Sequence, residues 1–250
     1  MMSINPLAPR PENLPAELLD MMAADAGKGV SFEAADQMVP RLYVAQSNSP
    51  AVDKRGEDYV DGCEAGDFVL RVGGVSTPRN GRDGILTIPA GMQNSWVVFR
   101  AQRQGFLARY LQKPAGLIEV KERNENGREQ LVLKLDDDVV VPSRDLFLLV
   151  ADEQGSWSPF VMFCTSTFHT FAREWNTYQR SLRHPKTGQV MPSYGHLYRL
   201  TTTIKHNALG RWFIPKYEDL GVLGDIPAYN LARELHLVVG SPDDVTRPAA

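Results

Sequence analysis

The sequence predicts an α+β fold: a β-rich antiparallel barrel or sheet with two principal helices. Three observations lead there. From Pro40 onward, short alternating apolar runs recur between turn residues, the period-two signature of half-buried strands. After Cys164 the apolar spacing changes to three and four residues, the signature of a helical stripe. Strands and helices do not alternate regularly along the chain, which excludes a doubly wound α/β pattern. A closed or half-closed barrel suits this many strands and suppresses their edges, an OB-like barrel being one way to build it.

The expected strands are Leu42 to Ala45, Asp67 to Val72, Ile85 to Ile88, Ser95 to Ala101, Leu117 to Glu122, Gln130 to Leu135 and Asp145 to Ala151. Asn126-Gly127 signals a hairpin between the fifth and sixth, because a two-residue turn needs positive φ, which Asn and Gly tolerate best. Gln154-Gly155 closes a second hairpin onto Phe160 to Phe163. Phe168, Phe171, Ala172, Trp175, Tyr178 and Leu182 then line one helical face, with candidate N-caps at Thr165 to Thr167 and Pro185 beyond the end. A third hairpin follows, Leu197 to Ile204 and Arg211 to Ile214 around a turn over Asn207 to Gly210. A last helix starts at Asp225 to Pro227 and ends near Gly240.

These elements divide the chain into a flexible Pro-rich N-terminal arm at 1–29, a single β-rich domain at 30–240 and a disordered tail at 241–250. The arm carries Pro6, Pro9, Pro11 and Pro15, a short helical pattern from Ala16 to Ala24, and a Gly27-Lys28-Gly29 joint. It lacks the basic stretch and apolar core of a secretion signal. With 250 residues, 43% of them hydrophobic, the chain is long enough to bury a real core. Its longest apolar runs, near Leu146 and Phe160, fall far short of the roughly 20 residues that cross a bilayer, so no membrane partner is expected. Two cysteines, Cys63 and Cys164, make no disulfide framework. A soluble, cytoplasmic protein is the expectation.

The sequence offers no signature of catalysis. Cys-x-x-Cys and His-Glu-x-x-His are absent, and His169, His184, His196, His206 and His236 are scattered without ligand spacing. Asp136-Asp137-Asp138 reads as a solvated loop rather than a magnesium site, since consecutive strand residues alternate faces. Gly27-Lys28-Gly29 and Gly73-Gly74 lack the spacing of a phosphate loop, and no Gly-x-Ser-x-Gly elbow occurs. Neither a cofactor nor a metal is expected, and the chain reads as no enzyme.

Charge is more informative than its formal net value of −3 suggests. From Phe160 to Lys216 there are eight basic residues against Glu174 alone, a balance of +7, while the rest of the chain carries −10. Aromatic residues run through the same stretch, among them Phe160, Phe163, Tyr194, Tyr198, Trp212 and Phe213. Single-stranded nucleic acid presents a charged backbone and flat bases, and proteins bind it with basic grooves and stacking platforms. The expected phosphate contacts are Arg173, Arg180, Arg183, Arg199, Lys205 and Arg211, and the expected stacking residues are Tyr198 and Trp212. The aromatic stripe of the helix reads mainly as core. Its arginines have two readings, a basic face flanking the groove or a merely solvated face.

One resemblance adds to this. Pro40-Arg41-Leu42-Tyr43-Val44-Ala45-Gln46, then Asn48-Ser49-Pro50, Tyr59, Gly62, Gly66 and Asp67, resembles a group of tailed-phage proteins. Gly84-Ile85 leading to Pro89, Trp96 before Phe99, the Ser166 to Asn176 segment, Tyr198 to Thr202, Asn207, Gly210 and Trp212 are similar to the same group. The resemblance spans roughly residues 27 to 216. It implies an association with phage replication and recombination, with single-stranded DNA and replication or recombination proteins as partners, and an oligomer as an option. One feature departs from many such proteins: the tail holds only Asp243 and Asp244 beside Arg247, not an acidic run that recruits enzymes. A structural or assembly protein of the virion, using the basic strip against an acidic neighbour, is the alternative.

Overall fold

A computed structural model describes residues 16, 17, 20, 40–100, 106–123, 129–207 and 210–240. The chain divides into two compact units, Met1–Gln37 and Met38–Ala250. The arm expected at 1–29, apart from residues 16, 17 and 20, and the tail expected at 241–250 lie outside the described residues. The second unit is mostly β-sheet, curled into a half-barrel and accompanied by two helices, the α+β, barrel-like class expected.

The strands are β1 (Arg41–Val44), β2 (Phe68–Val72), β3 (Val75–Arg79), β4 (Ile85–Phe99), β5 (Phe106–Tyr110), β6 (Ile118–Arg123), β7 (Glu129–Leu135), β8 (Asp138–Ala151), β9 (Trp157–Thr165), β10 (His196–Asn207) and β11 (Gly210–Val222). Helix α1 spans Thr167–Ser181 and α2 spans Ile226–Gly240. The main strand order is β11-β10-β4-β8-β9-β1-β2-β3, with β5 added to β4 and the β6–β7 hairpin added to β8. Pairing is antiparallel except for β1 against β9. All three expected hairpins form; the residues of the Asn126-Gly127 turn lie outside the described ones, but Arg123 pairs with Glu129 on either side of it.

The structure corrects several expected boundaries. Ile85–Ile88 and the Ser95 to Phe99 part of the next expected strand are not separate but belong to the 15-residue β4, because a β-bulge between Pro89 and Gly91 absorbs the apparent break; Ala101 lies outside the described residues. The third hairpin is longer than expected, with β11 running on to Val222. β3 and β5 were not expected. β3 contains Pro78 and ends the strand order, where a missing N–H costs nothing.

Each face of the sheet meets one helix. Leu42, Phe68, Leu148, Met162 and Leu200 point to the α1 face and pack with Phe171, Ala172 and Trp175. Ile88 and Leu149 point to the other face and pack with Ala228 and Ala232 of α2. α1 forms for the reason its spacing predicts: its apolar stripe is buried while Arg173, Glu174, Thr177 and Arg180 stay exposed. Ser166 occupies the N-cap position without a side-chain capping bond.

The open side of the half-barrel is fastened by side chains. The Gln46 amide donates to the Phe213 carbonyl (2.9 Å) and its Oε1 accepts from the Phe213 N–H (2.8 Å), so one side chain acts as a strand partner for the β11 edge. On the β10 edge, the Thr202 N–H donates to the Gly81 carbonyl (2.8 Å) and its hydroxyl to the Gly66 carbonyl (2.7 Å). Gly66 has φ +100°, and a Cβ there would lie 2.5 Å from the Phe213 ring. Only glycine allows this approach.

Candidate nucleic-acid interface

The β10–β11 hairpin carries five of the eight residues expected to bind nucleic acid, and its register decides where each one points. Tyr198 pairs with Asp219, Arg199 with Glu218, Lys205 with Trp212 and His206 with Arg211. Strand alternation then places Tyr198 and Arg211 on the α1 face, and Arg199, Lys205 and Trp212 on the α2 face together with Lys216. Beyond the anchors at Thr202 and Phe213, the hairpin exposes Ile204, Lys205, His206 and Arg211.

Tyr198 does not stack on bases. It is fully buried, its ring edge-on to Trp175 at 5.2 Å and to Tyr217 at 6.3 Å. Burial pushes its phenol far up, and its hydroxyl has no hydrogen-bond partner among the described residues. The physical reason is that Tyr198 pairs with Thr87 of β4 just where the hairpin joins the main sheet under α1. Trp212 is half-buried, its indole N–H turned inward. Arg199 spends part of its charge on Glu218 (3.2 Å).

The helix arginines lie over the opposite face. Arg173 and Arg180 project from the solvent side of α1. Arg183, just past the helix, donates to the carbonyls of Arg180 (2.7 Å) and Leu182 (3.2 Å), where a cation also suits the helix C-terminus. The eight candidates therefore form no single groove: Arg173, Arg180 and Arg183 lie on the α1 side, while Arg199, Lys205 and Trp212 face the other way.

Three polar groupings were not legible in the sequence. Asp219 accepts from Tyr178 Oη (2.8 Å), His196 Nδ1 (2.9 Å) and the Gly221 N–H (2.8 Å). Burial raises its pKa, but these hydrogen bonds together outweigh that and hold it below its ordinary value. A cleft of about 270 Å³ beside the β4 bulge is lined by Gly91, Met92, Asn176, Gln179, Arg180 and His236. His236 Nδ1 is held by the Ala90 carbonyl at 2.7 Å. The third grouping lies on the α2 face. Arg109 reaches across β4 to the buried carboxylate of Asp145 (2.6 Å), which also accepts from the Ser143 hydroxyl (2.8 Å). Among the described residues, no group of three or more His, Cys, Asp or Glu side chains is placed to hold a metal ion. Nor is any described helix long and apolar enough to cross a membrane.

Neither the curated proteins nor the solved structures contain a match to this chain. A family of phage proteins does match, over residues 10–243, which covers the whole sheet and both helices. On that span, the chain belongs to the Pam3 phage gp34-like protein family.

Proposed function

We propose that this phage protein binds single-stranded DNA, without catalysing a reaction, in replication or recombination. The contact surface is the α2 face of the β10–β11 hairpin. One observation carries the reading: Lys205 and Trp212 sit directly opposite each other on a projecting hairpin, in a stretch with no acidic residue between Glu174 and Glu218. Directly opposed strand residues have Cβ atoms about 5 Å apart, so the pair sets a cation beside an aromatic ring within the reach of one nucleotide. Lys216 and the outer part of Arg199 extend the positive surface toward the hairpin base. The acidic remainder keeps the free protein soluble and limits nonspecific adhesion.

The test is fluorescence anisotropy with a labelled oligo-dT, competed by duplex DNA and single-stranded RNA at low and moderate salt. Salt-sensitive binding that prefers the DNA single strand is expected. Trp212→Ala should weaken it by about 5-fold or more, the lower end of one lost stacking contact, with little change in melting temperature. No binding at low salt would overturn the reading. A virion or assembly role is the second reading. It is favoured by Val222, Ile226 and Val238, which are 63%, 72% and 77% exposed along the end of β11 and the outer side of α2. Presence of the protein in purified particles would support it.

A further inference from the structure

On the α2 face, three arginines from distant parts of the sequence converge, Arg41 and Arg71 on the adjacent strands β1 and β2 and Arg109 reaching in from β5. Arg71 of β2 is directly opposite Arg41 of β1. Next to β1, Phe163 of β9 has the Arg41 guanidinium 5.5 Å and the Arg109 guanidinium 3.5 Å from its ring centre. Like charges directly opposite on neighbouring strands are destabilising. Among the described residues, the acidic partner of Arg71 is a loose one, Asp58 at 4.0 Å. Arg41, which is exposed, has no acidic partner among the described residues. Its pKa is lowered, first by partial burial of the charged group and then by the neighbouring Arg109 and Arg71 charges.

Arg109 differs from the other two. Its guanidinium is fixed from three directions: Asp145 takes one Nη1 hydrogen bond at 2.6 Å, the Ser95 hydroxyl takes another at 3.2 Å, and the Phe163 ring lies beneath the plane. Asp145 is itself held by Ser143 and is 3% exposed, while Arg109 is 19% exposed. A planar cation pinned on an aromatic ring, with 19% of its side chain still reaching solvent, is a platform on which a base stacks. Beside it, Arg41 and the loosely paired Arg71 suit phosphates.

We infer that Arg71, Arg41 and the Phe163-backed Arg109 form a second contact for a single strand, Arg41 and Arg71 taking phosphates while a base stacks on the outer plane of Arg109. This rests on the nucleic-acid reading above and adds a surface that the hairpin does not supply. Arg41 and Arg71 pair at the end of β1 and β2 opposite to the Gln46 seam, and β5, which carries Arg109, pairs with β4 at Trp96 to Phe99, whereas the hairpin joins β4 at Ile85 to Thr87. The contact is therefore distinct from Lys205 and Trp212.

The experiment uses the full chain and a labelled oligo-dT titrated across a salt series. Each lost phosphate contact on a single strand lowers the slope of log K against log salt by about 0.7. Arg41→Gln with Arg71→Gln is expected to lower it by about 1.4 while the fold persists, because both side chains reach the surface. Arg109→Lys keeps the charge but loses the plane, so the parent's preference for oligo-dT over an abasic strand should shrink by about 5-fold or more. An unchanged slope in the double variant, with Lys205→Gln weakening binding, would overturn this inference and leave the hairpin reading standing. Absence of binding by the parent at low salt would overturn both. Arg109→Lys melting near the parent but discriminating equally well would remove the stacking role.

Discussion

Replacing Gln46 by Ala tests whether a single side chain fastens the open side of the half-barrel. The amide makes two hydrogen bonds to the backbone of Phe213, 167 residues away, at 2.9 and 2.8 Å. A net contribution of about 0.5–1.5 kcal/mol for each bond gives a cost of about 1–3 kcal/mol. The lower part of that range applies if water replaces the lost partner at the strand edge. For a domain of this size, 1 kcal/mol shifts the melting temperature by about 2–4 °C, so a fall of about 4–8 °C is expected for a mid-range loss of about 2 kcal/mol. Gln46→Glu is the sharper variant. It retains an acceptor for the Phe213 N–H but sets a carboxylate oxygen against the Phe213 carbonyl. Its deficit relative to the parent should shrink between pH 7 and pH 4, as the protonated acid regains an O–H donor. The assay is thermal unfolding of both variants, with hydrogen exchange at the Phe213 amide as the local readout. Melting of Gln46→Ala within about 1 °C of the parent, with unchanged exchange at Phe213, would refute the fastening role.

Three further outcomes follow from buried groups. Tyr198→Phe removes a buried hydroxyl that has no hydrogen-bond partner among the described residues, so denaturant unfolding should show stability unchanged or slightly raised, and oligo-dT affinity should not move. Asp219 has a depressed pKa in the folded state. Its contribution is therefore present above the unfolded carboxylate value and is lost as pH falls below about 4; Asp219→Asn should lower stability at pH 7 and flatten the acid limb of a urea-denaturation series. Cys63 and Cys164 are both buried, and burial pushes both thiols up, Cys164 the further. A thiol reagent should leave both largely unmodified in the native protein and titrate two in denaturant, whereas rapid native labelling of Cys164 would contradict its burial.

Local signals were legible where the chain's own pattern decides the outcome. The helical stripe from Phe168 to Leu182 became α1, and Gln154-Gly155 became a turn with Gly155 at φ +83°. What the pattern leaves open is which of two strand faces meets the core. Tyr198 and Trp212 looked equivalent as aromatics in a basic hairpin. Register separates them, since Tyr198 pairs with Thr87 and Asp219 beneath α1 while Trp212 pairs with Lys205 near the tip. Proximity in sequence also misled the charge count. The run of +7 is divided by the sheet, with Arg173 and Arg180 on one side and Arg199, Lys205 and Lys216 on the other. The row of Arg41, Arg71 and Arg109 draws on three strands that no linear window joins.

The residues through which the chain resembles phage proteins converge on the fastening of the half-barrel. Gln46 ends the first motif and binds Phe213. Gly66 leaves room for the Phe213 ring, and Asp67 accepts from the Gly81 N–H at 3.1 Å, beside the carbonyl that holds Thr202. Gly84 abuts the Leu200 backbone at the same seam. Their spacing answers to a backbone packing requirement. The seam also grips both edges of the hairpin at Thr202 and Phe213, directly below Lys205 and Trp212. Loosening it at Gln46 frees the arm that carries the proposed contact while leaving every contacting side chain in place. The proposed binding through the hairpin should then weaken, because ordering that arm costs entropy, while the Arg41–Arg71 pair, at the end of β1 and β2 opposite to the seam, should keep its share of the salt dependence.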